Sequence, residues 1–117
     1  FIANDGLGAN SNAVACLDYV ADLKRRGVNI VVTNNSWGGI ARSRALDDAV
    51  RVQRDLGILF VAAAGNNGWD NDLQPDYPCN SDSSIVVCVA ATYESQARFS
   101  NYGRRTVHLG APGTSIY

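Results

Sequence analysis

The stretch ILFVAAAGNNG, residues 58–68, decides the fold. Its first half is an uninterrupted apolar run, which is typical of a strand covered on both faces in a parallel α/β sheet. Its second half turns through small residues and asparagines, and in such sheets ligands bind beyond the carboxyl ends of the strands. We therefore predict a buried strand and then a binding turn, in which the Asn66 amide donates hydrogen bonds without titrating. Alternatively, the asparagines and glycines only supply left-handed backbone angles.

Helix and strand signals alternate on both sides of this stretch. Ser11 is a plausible N-cap for a helix that Gly27 closes, and a second helix runs from Ser43 to Gly57. Apolar runs predict strands at residues 1–4, 28–32, 85–91 and 106–109. Strands that alternate with helices over short links predict parallel crossovers, so we expect an α/β domain.

Composition restricts the class of protein. The chain has 117 residues, of which 46% are hydrophobic and 18% charged, which suits one globular domain. Ten basic and eleven acidic residues give a net charge of -1, which offers no electrostatic case for nucleic acid or an anionic membrane as partner. No apolar run approaches the roughly 18 residues that a membrane span needs.

The three cysteines, Cys16, Cys79 and Cys88, are odd in number and match no metal-ligand spacing. We expect Cys16 to pack in the first helix. Cys79 and Cys88 can pair across a loop, or both can remain free thiols.

A glycine-rich turn after a strand also suggests nucleotide binding. Gly6, Leu7 and Gly8 precede a helix, as the first glycines of a dinucleotide fingerprint do. The match fails in detail, because Ser11 occupies the third glycine position and residues 33–34 are Thr-Asn where an acidic residue should bind the ribose. A nucleotide cofactor is therefore not expected.

Five short motifs occur together in a specific order: NNSWGG at 34–39, AAAGNNG at 62–68, YP at 77–78, FSNYG at 99–103 and APG at 111–113. In that order and at those intervals, the sequence resembles the subtilisin family of serine endopeptidases (peptidase S8 type) over essentially its whole length. The resemblance implies a three-layer α/β fold with a mostly parallel sheet and helices on both faces. Residues 1–117 would be the central portion of the catalytic domain, truncated at both ends.

The resemblance also assigns the site residues. Asn66 matches the family's oxyanion-hole asparagine, which stabilises the tetrahedral intermediate. An extended peptide substrate would add as a strand between two edges, with one side chain read by a pocket. One edge and pocket wall matches Ser36, Trp37 and Gly38, the opposite wall matches Ala63, Ala64 and Gly65, and the other substrate edge matches Gly6, Leu7 and Gly8.

Further expectations concern the loop after the AAAGNNG motif. Asp76 lies where the floor of the primary pocket is expected, and a carboxylate there would favour a Lys or Arg side chain; alternatively, Asp76 is a solvated loop residue. The bond from Tyr77 to Pro78 matches one that is usually cis in the family. Carbonyls of Cys79, Ser81 and Ser84 match a weak structural site for Ca²⁺ or a monovalent cation. No other cofactor is implied.

The sequence departs from the family at the catalytic triad. The aspartate of D-[ST]-G, the histidine of H-G-T-H and the serine of G-T-S-M-A are not in these 117 residues. We expect His108 to be a strand residue and not a general base. Ser115 belongs to GTSIY, which resembles the segment before the nucleophile motif, so it is not expected to be the nucleophile.

The sequence therefore predicts a fragment of a subtilisin-type serine endopeptidase that supplies the cleft and the oxyanion asparagine but is inactive alone. The alternative is a truncated, inactive peptide-binding or non-functional product. The expected partners are an extended polypeptide and the remainder of the catalytic domain, and secretion is expected from family habit. By itself the chain should expose apolar sheet edges and aggregate or be partly molten.

Overall fold

The computed structural model describes residues 6–81, 84, 86–93 and 96–116. Their elements, in chain order, are α1 (Asn10–Arg25), β1 (Val32–Asn35), α2 (Arg44–Asp55), β2 (Leu59–Ala63), β3 (Val86–Thr92) and β4 (Leu109–Pro112). The strands form one sheet in the order β1-β2-β3-β4, and every neighbouring pair is parallel. The predicted α/β class with a parallel sheet is confirmed. The strand predicted at residues 1–4 lies outside the described residues.

The core lies between one face of this sheet and both described helices. Alternate residues of β2 and β3 point to that face, because side chains alternate along a strand. Helix α1 packs on α2, and α2 packs on β2. The buried residues of this cluster are Ala13, Leu17, Leu46, Ala49, Val50, Phe60, Ala62, Ala64, Cys79, Val86, Cys88 and Ala90.

The opposite face of the sheet is partly open to solvent. Leu59 is 40% exposed and Val32 is 49% exposed, and Val61 and Ala63 are half-buried. The sequence predicts a strand covered on both faces at residues 58–64, whereas the structure covers one. The reason is that both helices of the described part lie on the Phe60 face.

Three of the four predicted helix-capping residues are found at the ends of the helices. Ser43 caps α2, since its side chain accepts a hydrogen bond from the Leu46 N–H. Gly27 and Gly57 follow α1 and α2 with φ of 93° and 71°, the left-handed angles that glycine adopts readily. Ser11 is not the N-cap of α1. The N-cap is Ala9, whose carbonyl accepts from two N–H groups of the first turn and whose side chain forms no cap.

Strands β1 and β4 begin later than the sequence predicts. Residues 28–30 form a tight turn after α1, in which Ile30 N–H donates to Val28 O and Lys24 Nζ donates to Ile30 O at 2.8 Å. Pairing with β2 therefore starts only at Val31. Residues 103–107 form a wider turn, in which Val107 N–H donates to Gly103 O, so pairing with β3 starts at His108.

The cysteines divide into one pair and one exposed thiol. Cys79 and Cys88 form a disulfide that joins the loop after β2 to the middle of β3. Cys16 lies on α1 but is exposed, because it is not on the face that Ala13, Leu17 and Ala21 turn towards the core. The expectation that Cys16 packs is therefore wrong. Neither helix of the described part is long and apolar enough to cross a membrane.

Candidate functional site

The candidate site lies where β1 and β2 end side by side. Asn35, the last residue of β1, is in register with Ala62 of β2. The segment 36–39 and the turn 65–68 therefore leave the same edge of the sheet as neighbours. This is the edge at which parallel α/β sheets bind ligands.

The segment 36–39 is fixed at both ends. Asn35 is buried, and its Nδ2 donates to Thr33 Oγ1 at 3.1 Å and to Val61 O at 3.3 Å. Gly39 forms two backbone hydrogen bonds with Tyr77, of 2.9 and 2.8 Å. Between them, the Trp37 ring meets the Phe60 ring edge-on, with centroids 6.5 Å apart. The segment is therefore held in place against β2 and against the loop that carries Asp76.

Two buried asparagines fix the turn after β2. Asn101 Oδ1 accepts from Asn67 N–H at 2.8 Å and from Trp69 N–H at 3.2 Å. Asn101 Nδ2 donates to Asn71 Oδ1 at 3.0 Å, and Asn71 Nδ2 donates to Ala64 O at 2.8 Å. Both asparagines are fully buried. The backbone on each side of Asn66 is thus bound, while Asn66 itself is exposed.

Sequence analysis gives no role to Asn71 or Asn101. Asn101 stands in the FSNYG motif, which served only to recognise the resemblance. The signal that could have found it is an asparagine in a short Ser-Asn-Tyr-Gly turn, since asparagine side chains often bind backbone groups in turns. Its partners are 30 to 34 residues away in the chain, so no local pattern identifies them.

One cavity, here called the Asp76 cavity, lies between the segment and the turn. Its volume is about 210 Å³, and it is lined by Ser36, Trp37, Gly38, Ala63, Gly65, Asn66, Asn67 and Asp76. The two asparagines are exposed, whereas Asp76 is only 6% exposed. Asn66 thus lies at the open side of the cavity and Asp76 at its buried end. Seven of the predicted site residues are brought together here.

The carboxyl group of Asp76 is buried, and its hydrogen-bonding capacity is only partly satisfied. Its Oδ1 has no hydrogen-bond partner among the described residues. Burial raises the pKa of this carboxyl above its ordinary value, and the nearby Gly39 N–H offsets part of the rise. The interpretation of Asp76 as a solvated loop residue is therefore wrong.

Glycines let both cavity walls approach this carboxyl group. A Cβ on Gly38 would lie 2.5 Å from Asp76 Oδ1, and a Cβ on Gly65 would lie 3.1 Å from Asp76 Oδ2. Gly65 also has φ of 111°, which side chains of L-residues rarely allow. A side chain at Gly38 would therefore clash first with the Asp76 carboxyl group, and one at Gly65 would clash first with the buried Asn101 amide.

A second cavity, here called the Leu7 cavity, shares the lining residues 36–38 with the Asp76 cavity. Its volume is about 360 Å³. Gly6, Leu7 and Gly8 line it together with Ser36, Trp37 and Gly38. The two predicted substrate edges therefore border one groove, and the segment 36–38 lines both that groove and the Asp76 cavity.

Ala64 is the one predicted wall residue that lines neither cavity. Its side chain is 1% exposed and belongs to the core. Its N–H donates to Val89 O, and its carbonyl accepts from Asn71 Nδ2. Because β2 alternates, Ala63 faces the cavity and Ala64 must face the helices.

The remaining predicted features lie outside these cavities. His108 Nδ1 accepts from the Cys88 N–H at 3.0 Å, so the ring extends the pairing with β3. The bond from Tyr77 to Pro78 is cis, as expected. The predicted cation site at Cys79, Ser81 and Ser84 belongs to a loop in which residues 82 and 83 lie outside the described residues.

Comparison with known proteins supports the resemblance. The family model described as the subtilase family matches residues 3–117. A protein named subtilisin-like protease 7 from Arthroderma gypseum is 34% identical over 113 residues, which are 96% of this chain and 27% of that protein. An extracellular serine proteinase from a Thermus species is 39% identical over 112 residues, 96% of this chain and 26% of that protein.

A solved structure has the same fold. The crystal structure of a cold adapted subtilisin-like serine proteinase superposes with a TM-score of 0.82 at 34% identity, covering 98% of this chain and 40% of that one. The chain spans about a quarter of the length of the two relatives named above. From the family match, the relatives and the shared fold together, the chain belongs to the subtilase family.

Proposed function

We propose that this chain forms the substrate cleft of a subtilisin-type serine endopeptidase, in which Asn66 donates a hydrogen bond to the developing oxyanion. The observation that carries the proposal is the position of Asn66. It is exposed at the open side of the Asp76 cavity, on a turn whose backbone is fixed by Asn101. A neutral donor held in place before the reaction costs little reorganisation when charge develops.

The substrate would be an extended peptide. It would lie in the groove between residues 6–8 and 36–38 and pair with them through backbone hydrogen bonds, as strands added to an edge do. One side chain would then enter the Asp76 cavity, and the carbonyl that follows it would lie near the Asn66 amide. The cleft and the donor are the parts of the reaction that this chain supplies.

The attacking group must come from residues outside this sequence. The family's aspartate, histidine and serine motifs do not occur in the 117 residues, and an oxyanion donor alone has no tetrahedral intermediate to stabilise. We therefore propose that the chain by itself does not hydrolyse peptides. The absence of these three motifs also favours a second candidate function, that of an inactive product that only binds extended peptides.

We also propose that the protein acts outside the cytoplasm. The Cys79–Cys88 disulfide is typical of oxidising compartments. The Thermus relative is named as an extracellular proteinase.

The test uses the protein in the form that its source makes. We expect it to hydrolyse peptides and to react with a fluorophosphonate probe. Replacing Asn66 with Ala should lower kcat about 10²–10³-fold with little change in KM, which is the loss known from a subtilisin that lacks this donor. Asn12→Ala is the matched control, because Asn12 is exposed on α1 and lines neither of the two cavities.

Two results would contradict the proposal. Equal kcat for Asn66→Ala and Asn12→Ala would show that Asn66 is not an oxyanion donor. Fluorophosphonate labelling of the 117-residue chain at Ser115 would show that the chain does contain a nucleophile. Peptide binding without hydrolysis or labelling in the natural form would favour the second candidate.

A further inference from the structure

The Asp76 carboxyl group has no positively charged partner among the described residues, and one of its oxygens, Oδ1, accepts no hydrogen bond from them. None of the ion pairs between described residues includes Asp76. The residues that line the Asp76 cavity include no lysine, arginine or histidine. A buried carboxylate without a partner reduces stability, so a counter-charge from outside the chain is the simplest reason to retain it.

The backbone that carries this carboxyl group is fixed. Asp76 N–H donates to Asn80 Oδ1 at 3.1 Å, and Asp76 O accepts from Asn80 N–H at 2.8 Å. Asn80 Nδ2 in turn donates to Asn71 O at 2.8 Å. The loop that carries the carboxyl group is thus tied to the same buried asparagine that supports the turn of Asn66. Gly38 and Gly65 bring the backbone of both cavity walls close to the group.

The shape and polarity of the cavity suit a long side chain with a positive end. Ala63 and Trp37 provide apolar surface along the walls, where the methylene groups of a lysine or arginine can pack. Asp76 Oδ1 at the buried end has no hydrogen-bond partner, so it can accept a charge-assisted hydrogen bond from an ammonium or guanidinium group. An apolar side chain would leave that oxygen buried and unpaired, which disfavours it strongly.

We infer that the Asp76 cavity selects substrates with lysine or arginine at the residue before the cleaved bond, and that Asp76 is the residue that determines this specificity. The inference rests on the proposed function for the position of the cleaved bond. Recognition of the cationic side chain itself depends only on the cavity.

The experiment compares peptides that differ in one charge. Two pairs are used in the natural form of the protein: arginine against citrulline, its neutral isostere, and lysine against norleucine. Both kcat/KM for hydrolysis and Kd by fluorescence anisotropy with non-cleavable analogues are measured. We expect the charged member of each pair to be favoured at least about tenfold in kcat/KM and in affinity, as for a buried charge-assisted contact.

Variants then locate the source of the preference. Asp76→Asn keeps the size of the side chain and removes its charge, so the preference for arginine over citrulline should disappear. Asp18→Asn removes the same charge from the exposed side of α1 and should leave the preference unchanged. If Asp76→Asn fails to fold, the comparison of charged with neutral peptides in the unmodified protein still tests the inference.

The outcomes separate this inference from the proposed function. Hydrolysis with no preference for arginine or lysine would overturn the inference and leave the proposed function intact. Tighter binding of the arginine peptide without hydrolysis, lost in Asp76→Asn, would support the inference and overturn the proposed hydrolysis. If the protein shows neither hydrolysis nor preferential binding, both the inference and the proposed function are overturned. If the preference for arginine remains unchanged in Asp76→Asn, only the inference is overturned.

Discussion

At the scale of single residues, Asp76 and Asn66 differ in how much they reduce the stability of the fold. Asn66 is exposed and neutral, so holding it at the cavity costs the fold little. Asp76 is buried with an unpaired oxygen, and burial raises the pKa of its carboxyl group. Retaining the carboxylate therefore reduces stability, as is common for residues kept for binding and not for packing.

The first prediction concerns the stability of Asp76→Asn. Because the pKa of Asp76 is raised in the folded state, its contribution to stability is full below the unfolded pKa, near 3.8, and is lost as the pH rises through the folded pKa. We expect Asp76→Asn to raise the free energy of unfolding by on the order of 1 kcal/mol at about pH 7, and to change it little at about pH 3. Urea denaturation of the natural form of the protein at both pH values measures this. A variant less stable than the unmodified protein at the higher pH would contradict the prediction.

Sequence motifs indicated which predicted site residues lie together where the motif is local. Ser36 to Gly38 and Asn66 lie in short glycine-rich turns directly after strands, and the structure places them around one cavity. Ala64 was assigned to the same wall from the resemblance, whereas the alternation of side chains along β2 turns its side chain into the core. Asn71 and Asn101 could not be found, since they act through hydrogen bonds to residues far away in the chain.

At the scale of elements, the Asp72 carboxylate joins two loops. Unlike the Asp76 carboxylate, it accepts several hydrogen bonds. Asp72 Oδ1 accepts from Thr106 N–H at 3.1 Å and from Thr106 Oγ1 at 2.8 Å, and its Oδ2 accepts from Arg105 N–H at 3.0 Å. The hydrogen bond from Thr106 is the main reason that the pKa of Asp72 is lowered. The loop after β2 is thereby tied to the turn before β4.

The second prediction follows from the sign of that shift. Since the folded pKa of Asp72 is lowered, its contribution to stability is present above the unfolded pKa, near 3.8, and is lost as the pH falls through the folded pKa. Asp72→Asn should therefore lower Tm at neutral pH, and the difference from the unmodified protein should shrink in acid. Thermal denaturation across this range checks it, with Asp18→Asn as the exposed control. An equal loss of Tm at all pH values would mean that the charge of Asp72 is not responsible.

The third prediction concerns the disulfide. It joins the loop that carries Asp76 to β3 across a separation of 9 residues, and closing a loop of that size stabilises the folded state by about 2–3 kcal/mol through the unfolded chain. We expect the double variant Cys79→Ala and Cys88→Ala to lose about that free energy of unfolding, or more if the buried sites do not repack. Chemical denaturation measures the loss. Cys16→Ala is the matched control, because Cys16 is exposed on α1 and should change little.

Element boundaries were predicted well only where a local cap sets them. Ser43, Gly27 and Gly57 act on backbone groups within a few residues, so their signal is visible in the sequence. The starts of β1 and β4 were placed three or four residues too early. Their apolar residues enter turns instead, because contacts such as Lys24 Nζ to Ile30 O and the pairing with neighbouring strands decide where extended structure begins.

At the scale of the whole molecule, the sheet has one covered and one partly open face. Helices α1 and α2 cover the Phe60 face, whereas Val32, Leu59 and Leu109 are 49%, 40% and 48% exposed. Apolar groups exposed together on a sheet promote association. The relatives and the solved structure are longer than this chain.

The fourth prediction is that the 117 residues alone bind a hydrophobic dye such as ANS and aggregate on heating without a sharp transition. Replacing Val32 and Leu59 with Ser should reduce both effects. Leu73→Ser is the control, because Leu73 is 80% exposed but lies in the loop after β2. A cooperative thermal transition with no dye binding would contradict the prediction.

The central claim, that Asn66 is an oxyanion donor in a peptide cleft, is tested most directly by one distance. A crystal structure of the natural form of the protein with an extended peptide aldehyde ending in arginine provides it. The account predicts that Asn66 Nδ2 lies about 2.7–3.1 Å from the oxygen of the aldehyde adduct, with the peptide backbone along residues 36–38 and the guanidinium group on Asp76. A peptide bound elsewhere, or an Asn66 amide turned away from that oxygen, would contradict it.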